Sequence, residues 1–287
     1  MKFLKYFFQF IIIFIFFLIC KIIGYKNSSD LGSLVGGFFG PFFRSKKVID
    51  KNLKISFPQI TNNEKEIIIK NMWKNYGRIL ADYMFIENFR KQKLNNYIQL
   101  ENKEILTKIK SYNKPVVFIS GHFNNFELLA MKLEMSGINL STIYRPLNNI
   151  FLNPIMEHIR KNYICKKQVK KGISGTKELL KYFKNGTSIA LMIDQRVSEG
   201  IYSKFFNKEA LTTTIPAQFV KKFKAKIVPI YIERNLEDNF TIEINKCIEF
   251  PDNDSIESIT LKLNEILEKM ILRNPDQWIW THNRWKN

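Results

Sequence analysis

The chain is poor in the residues that build metal, disulfide and phosphate-loop sites. It has three cysteines, Cys20, Cys165 and Cys247, widely spaced, with no CxxC pair and no Cys/His cluster. That argues against a disulfide framework and a zinc site, and a reducing compartment fits best. Cys165 has no base near it in sequence and reads as structural. Of three histidines, His158 and His282 do not form a metal-ligand pair by spacing, so no metal is expected. Neither GxxxxGK[ST] nor GxGxxG occurs, and there is no GxSxG elbow. Those absences remove the familiar phosphate cradles and the serine-hydrolase elbow, and no cofactor is expected. Arginine is scarce as well. Nine arginines stand among 45 basic residues, so each is a better candidate for bidentate anion contact than any given lysine.

What is present is apolar mass and positive charge. The 287 residues are 45% hydrophobic, enough for one large core or one core with an accessory region. Net charge is +19. Part of that reflects a chain-wide bias toward Lys, Ile, Asn and Phe. The excess still favours anionic partners: phospholipid surfaces, phosphorylated glycolipids, acidic proteins or nucleic acid.

The N-terminus is the longest apolar run. From Tyr6 to Ile23 only Gln9 and Lys21 interrupt it, and a span needs roughly 17–25 residues. Lys2 and Lys5 resemble the start of a signal peptide, but no small-x-small cleavage site follows. Residues 1–24 are therefore expected to be an uncleaved membrane anchor. Arg44, Lys46, Lys47, Lys51 and Lys54 follow soon after, which expects the body on the cytoplasmic side. Residues 25–60 form a membrane-proximal connector. Within it, Gly32–Phe43 is apolar and glycine-rich, either an element lying in the membrane interface or a buried connector.

Residues 61–287 read as the catalytic domain. Helical spacing runs from Thr61 to Asn88, with Ile69, Met72, Trp73, Tyr76, Ile79, Leu80, Tyr83 and Met84 at three- and four-residue steps. Beyond Tyr112 strands and helices alternate: "PVVFIS", then a helix through "NNFELLAMKLEMSG", then "LSTIYRP". A helix in "SGTKELLKYFKNG" is expected to be capped by Ser174 and stopped by Gly186. "TSIALMID" is a strand, "AQFVKKFKA" a helix, "KIVPIYIE" and "FTIEINK" strands, and Ile256 to Arg273 a last helix. The pattern predicts an α/β fold, a mostly parallel central sheet flanked by helices, with the N-terminal hydrophobic anchor helix ahead of it.

In such sheets ligands bind off the carboxyl ends of the strands. His122 lies just past one such end and Glu127 in the first turn of the following helix. The pair reads as a base and its orienter, with backbone amides near Asn124 and Asn125 as oxyanion donors. The plainer reading is a satisfied histidine beside a carboxylate that complements a helix dipole. "IALMIDQR" ends a second strand in Asp194 and Arg196. Two polar strand ends in one sheet point to a shared cleft.

"GHFNNFE" carries the H-x4-D/E signature of the glycerolipid acyltransferase superfamily. "YRPLNN" with Arg160 beyond it, the blocks 175–201 and 205–234, and "NPDQWIWTHNRWK" narrow the match. With the N-terminal anchor, the chain closely resembles the late acyltransferases of lipid A biosynthesis, the lauroyl/myristoyl type, over essentially its full length. The resemblance implies an inner-membrane enzyme on the cytoplasmic face. It would move a fatty acyl group from an acyl-carrier-protein thioester to a hydroxyl of a Kdo-bearing lipid A precursor. It makes His122 and Glu127 the catalytic pair and Arg160 a substrate-positioning residue. It sets Asp194 in the active-site region and Arg145 in a matched block. It also implies anionic membrane lipids as neighbours. Two departures stand out: Asn207 follows Phe205 and Phe206 where glycine is usual, and Asn283 separates His282 from Arg284 where two arginines are common. Rival readings are an acyltransferase for a glycerolipid or mannosylated inositol lipid, and a non-catalytic binder of anionic lipid. A nucleic-acid binder rests on charge alone, without a recognised motif, and no nucleic-acid partner is expected.

Overall fold

The computed structural model describes residues 2–286. Five helices come first: α1 (Lys2–Ile23), α2 (Tyr25–Phe39), α3 (Lys46–Ser56), α4 (Asn62–Asp82) and α5 (Ile86–Arg90). Then follow β1 (Ile98–Glu101), α6 (Lys103–Ser111), β2 (Val117–Ser120), α7 (Glu127–Met135) and β3 (Leu140–Tyr144). Next is α8 (Leu152–Ile159), which runs on into a π turn at Arg160–Ile164. The chain continues through β4 (Lys167–Lys170), α9 (Ile173–Lys184), β5 (Ser188–Met192), β6 (Ile201–Phe205) and β7 (Lys208–Thr212). It ends with α10 (Ile215–Phe223), β8 (Ile227–Arg234), β9 (Phe240–Ile244) and α11 (Ile256–Arg273).

Seven strands form one sheet in the order β1-β9-β8-β2-β5-β3-β4. Every pairing in it is parallel except β8 with β9. The expected mostly parallel α/β sheet is therefore what forms. β2 is central and buried at every position. That is why "VVFIS" is an unbroken apolar run: a parallel strand covered on both faces has no polar side. β6 and β7 make a separate antiparallel hairpin.

Local chemistry sets several boundaries. Thr61 and Glu64 form a capping box at the start of α4, the Thr61 hydroxyl accepting the Glu64 amide and Glu64 accepting the Thr61 amide. α9 begins at Ile173 rather than after Ser174. Gly172, at φ +140, makes the turn out of β4, and only glycine enters that region freely. Ser174 thus sits inside the first turn and does not cap it.

Among the described residues α1 is the one helix long and apolar enough to cross a membrane. The Gly32–Phe43 stretch has a packed part and a bare end. Its glycines pack against α4, where a Cβ on Gly77 would fall 1.8 Å from the Gly32 carbonyl oxygen. Its aromatic end is bare: Leu34, Phe38, Phe39, Phe42 and Phe43 are all exposed, Phe42 at 80%. α3 is tied to the C-terminal block, Asn52 donating to the carbonyls of Trp280 and His282 and Lys51 to that of Trp285.

Candidate active site

β2 and β5 are adjacent and parallel, with Ser120 level with Met192. His122 and Asp194 each lie two residues beyond those ends, so the topology delivers both to one rim of the sheet. Gly121, between strand end and histidine, leaves room for Phe123 and Leu267. A Cβ there would fall 2.9 Å from the Phe123 ring and 3.0 Å from Leu267.

Asp194 is fully buried and holds His122 twice. Its Oδ1 is 2.7 Å from His122 Nδ1, and its Oδ2 accepts the His122 backbone N–H at 2.7 Å. The Trp278 indole also donates to Oδ2, at 2.9 Å. Burial works to raise the Asp194 carboxyl. The charge and hydrogen bonds of His122, with the Trp278 indole, more than reverse that and hold it below its ordinary value. In the neutral ring, an ionised acid on Nδ1 requires the proton there, which leaves Nε2 with its lone pair. The His122 ring keeps 20% exposure. Phe126 packs edge-on against it at 4.6 Å, and the Gln195 carboxamide nitrogen lies 3.4 Å from Nε2. Only the amide end of Gln195 suits that lone pair.

Glu127 takes different partners. It opens α7, is buried, and its Oε1 accepts from Arg160 Nε at 2.9 Å, Arg160 Nη2 at 2.7 Å and the Tyr83 hydroxyl at 3.1 Å. His122 is not among its hydrogen-bond partners. The five-residue spacing brings Glu127 to the same turn but aims it at the π turn after α8. Burial opposes the Arg160 charge, and Glu127 outweighs it, so the guanidinium pKa is raised. Burial, with Glu127 adding to it, raises Tyr83 well above the phenol range, so it stays a donor. Arg160 also lies over the Tyr144 ring at 5.6 Å, beside the YRP block. Arg145 follows Tyr144 and is exposed. His122, Asp194, Glu127 and Arg160 are thus joined into two adjacent pairs.

The connecting turn is not the helix expected through "NNF". Asn124 adopts φ +40, and α7 begins only at Glu127. The amides of Asn124 and Asn125 are already engaged. Asn124 N–H donates to the Gln277 carbonyl at 2.9 Å, and Asn125 N–H to the Asn124 side chain at 2.7 Å. They are not free for an oxyanion. Asn124 Nδ2 donates to Asn75 and to Gln277 Oε1, and Asn125 Nδ2 to Asp82. Asp82 is ion-paired with Arg234 at the end of β8, both buried. Arg234 in turn binds Ser29 of α2. This network has no local motif, because its members lie up to 205 positions apart. The doubled asparagine after the histidine was its one visible trace.

The C-terminal block closes the rim. His282 Nε2 accepts the Arg196 backbone N–H at 2.8 Å. Burial pushes the His282 ring down to about 4, so it stays a neutral acceptor. Arg284 is buried without a carboxylate. It donates to Leu211 O and Thr212 Oγ1 and lies over the Phe205 ring, and burial pushes it down to about 10. Both are neighbours of the candidate site that sequence spacing did not single out. Cys165 is buried, and its thiol is pushed up to about 12 by burial, consistent with a structural role. Among the described residues no group of three His, Cys, Asp or Glu could hold a metal ion.

A family model described as bacterial lipid A biosynthesis acyltransferase matches residues 1–287. The lipid A biosynthesis palmitoleoyltransferase of Escherichia coli (strain K12) is 23% identical over 262 residues, covering 89% of this chain and 84% of that protein. The lipid A biosynthesis lauroyltransferase of the same organism is 21% identical over 269 residues, 91% and 85% of the two chains. A lipid A biosynthesis acyltransferase of Haemophilus influenzae is 23% identical over 266 residues, 88% and 83% of the two.

Proposed function

The chain belongs to the bacterial lipid A biosynthesis acyltransferase family, an acyltransferase of lipopolysaccharide biosynthesis, and from that premise we propose how it works. The acceptor is a Kdo-bearing lipid A precursor, and the donor is a fatty acyl thioester of acyl carrier protein. The enzyme sits on the cytoplasmic face of the inner membrane. His122 is the general base, and Asp194 fixes its tautomer and stabilises the imidazolium. Glu127 positions Arg160 and Tyr83 beside the turn that carries His122, where Arg160 meets an anionic part of the substrate. The observation that carries this is the 2.7 Å contact of His122 Nδ1 with buried Asp194 at the carboxyl rim of the sheet.

A thioester is already activated, so one histidine suffices. The acceptor hydroxyl gives its proton to Nε2 as its oxygen bonds to the thioester carbonyl carbon. The carbonyl electron pair moves onto oxygen. Collapse of that intermediate expels the carrier thiolate, which takes the proton from the imidazolium. With the Asn124 and Asn125 amides occupied, the Gln195 carboxamide is the donor nearest the reacting atoms. When the hydroxyl takes its place at Nε2, its N–H groups turn to the oxyanion. The +19 charge favours the acidic carrier, the phosphorylated acceptor and anionic lipid. The test is acyl transfer by the purified full-length chain, with acyl-acyl-carrier-protein and the Kdo-bearing precursor. His122→Ala should lose nearly all turnover while still unfolding cooperatively, at a melting temperature lowered by the loss of Asp194's partner. Wild-type turnover by that variant would overturn the assignment.

A further inference from the structure

We propose that α1 lies along the surface of the membrane, fastened to the catalytic body at both ends, instead of crossing the bilayer. The residues on its inner side recur at helical spacing along its whole length. Tyr6, Gln9, Phe10, Ile13, Phe16, Phe17, Cys20 and Ile23 are half-buried or buried. At the C-terminal end Cys20 is fully buried, and its carbonyl accepts the Ser28 hydroxyl at 2.9 Å. At the N-terminal end Phe151 packs among Phe3, Phe7 and Phe10 at 5.2–5.9 Å. Asn149 donates to the Tyr6 carbonyl at 2.9 Å and to Gln9 at 3.3 Å. That gives Gln9, the odd polar residue in the apolar run, a partner on the body.

The geometry conflicts with a span. The 22 residues of α1 extend about 33 Å at 1.5 Å each, close to the roughly 30 Å hydrocarbon core. Were α1 to cross, Tyr6 would lie about 20 Å beyond Cys20 along the bilayer normal. Asn149, with Asn148, Asn153 and Arg145 nearby, would then sit inside hydrocarbon. Hydrocarbon strongly disfavours unsatisfied polar groups, and a charge still more. Laid flat, every group finds its medium. The outer side of α1, Phe8, Ile12, Ile15, Ile19 and Ile22, is exposed and apolar. Leu147 and Ile150, beside the Asn149 contact, and the Phe38–Phe43 turn are also exposed and apolar. Lysines stand at both ends, Lys2 and Lys5 at one and Lys21 and Lys26 at the other, with no acid before Asp30. Cations at both ends match one anionic leaflet met twice, whereas a span places its two ends at different leaflets.

The test uses the full chain in inner-membrane vesicles of known orientation. Cys247 is exposed on the body, while Cys20 and Cys165 are buried. Cys247 therefore reports the body's side, and Lys2→Cys, an exposed position at the far end of α1, reports the other. A membrane-impermeant maleimide should label both thiols from the same face and neither from the opposite face. Labelling of Lys2→Cys only from the face opposite Cys247 would overturn the proposal. As a second reading, Phe8→Trp, Ile15→Trp and Ile22→Trp should be quenched alike by shallowly brominated lipids. Deep-bromine quenching confined to Ile15→Trp would mark a span. Neither measurement depends on which lipid the enzyme acylates.

Discussion

Two buried carboxylates flank the same histidine, and they do different work. Asp194 follows a strand that neighbours β2 and receives the ring and backbone of His122. Glu127 lies five residues from His122, yet it receives Arg160 and Tyr83. Sequence proximity chose one partner and sheet topology the other. A parallel neighbour puts residue 194 level with residue 122 across 72 positions, while a helix start only carries a side chain round a cone of directions. The turn between them is held by a third layer: Asn124, Asn125, Gln277, Arg234 and Asp82.

The variants that separate these roles fall in a series. His122→Ala should cost the most, removing the proposed base altogether, on the order of 10⁴-fold in kcat. Asp194→Asn comes next. It keeps the shape but frees the wrong tautomer, and about 10³-fold or more should be lost in kcat with little change in KM. Retention of wild-type kcat by Asp194→Asn would put the ring's orienter elsewhere. Gln195→Ala should lose about 10²-fold, the usual cost of one oxyanion donor. Gln195→Glu should stay equally low wherever its carboxyl is ionised, since the carboxylate restores shape without a donor. Recovery of Gln195→Glu at high pH would reduce Gln195 to a prop for the ring.

Glu127→Gln should act less on kcat and more on KM and stability. It leaves the largely buried Arg160 without its anion, which costs on the order of 3 kcal/mol in folding free energy. Thermal unfolding and substrate titration would read both. The smallest effect is at His282. Its ring is lowered to about 4 from an ordinary 6.5 by burial. Above pH 6.5 it adds no pH dependence. As pH falls from 6.5 toward 4 the unfolded chain takes up a proton that the folded chain refuses, so stability declines. His282→Gln should flatten the melting temperature across that window. An unchanged slope would show that His282 titrates normally.

Much of this was legible in the residues. Ile256–Arg273 appears with its predicted ends, because Ser255 caps it and Pro275 closes it. The five expected strands appear in place, as β2, β3, β5, β8 and β9. β1, α6 and the β6–β7 hairpin did not announce themselves, being short and mixed in polarity. For the site, the shared rim of His122 and Asp194 followed from the two strand ends. Their bond did not, because strand order is not written in spacing. The Gln277 and Arg234 contacts with Asn124 were likewise invisible, each being set by chain segments more than a hundred residues away.

The contrast between the two acids can be seen without turnover. With three histidines in the chain, nitrogen-15 NMR of histidine-labelled protein gives a readable spectrum, and His122→Ala assigns the ring. The account predicts a proton on Nδ1 of His122 in the wild type and in Glu127→Gln, lost or redistributed only in Asp194→Asn. A ring that changes tautomer in Glu127→Gln and stays put in Asp194→Asn would contradict it.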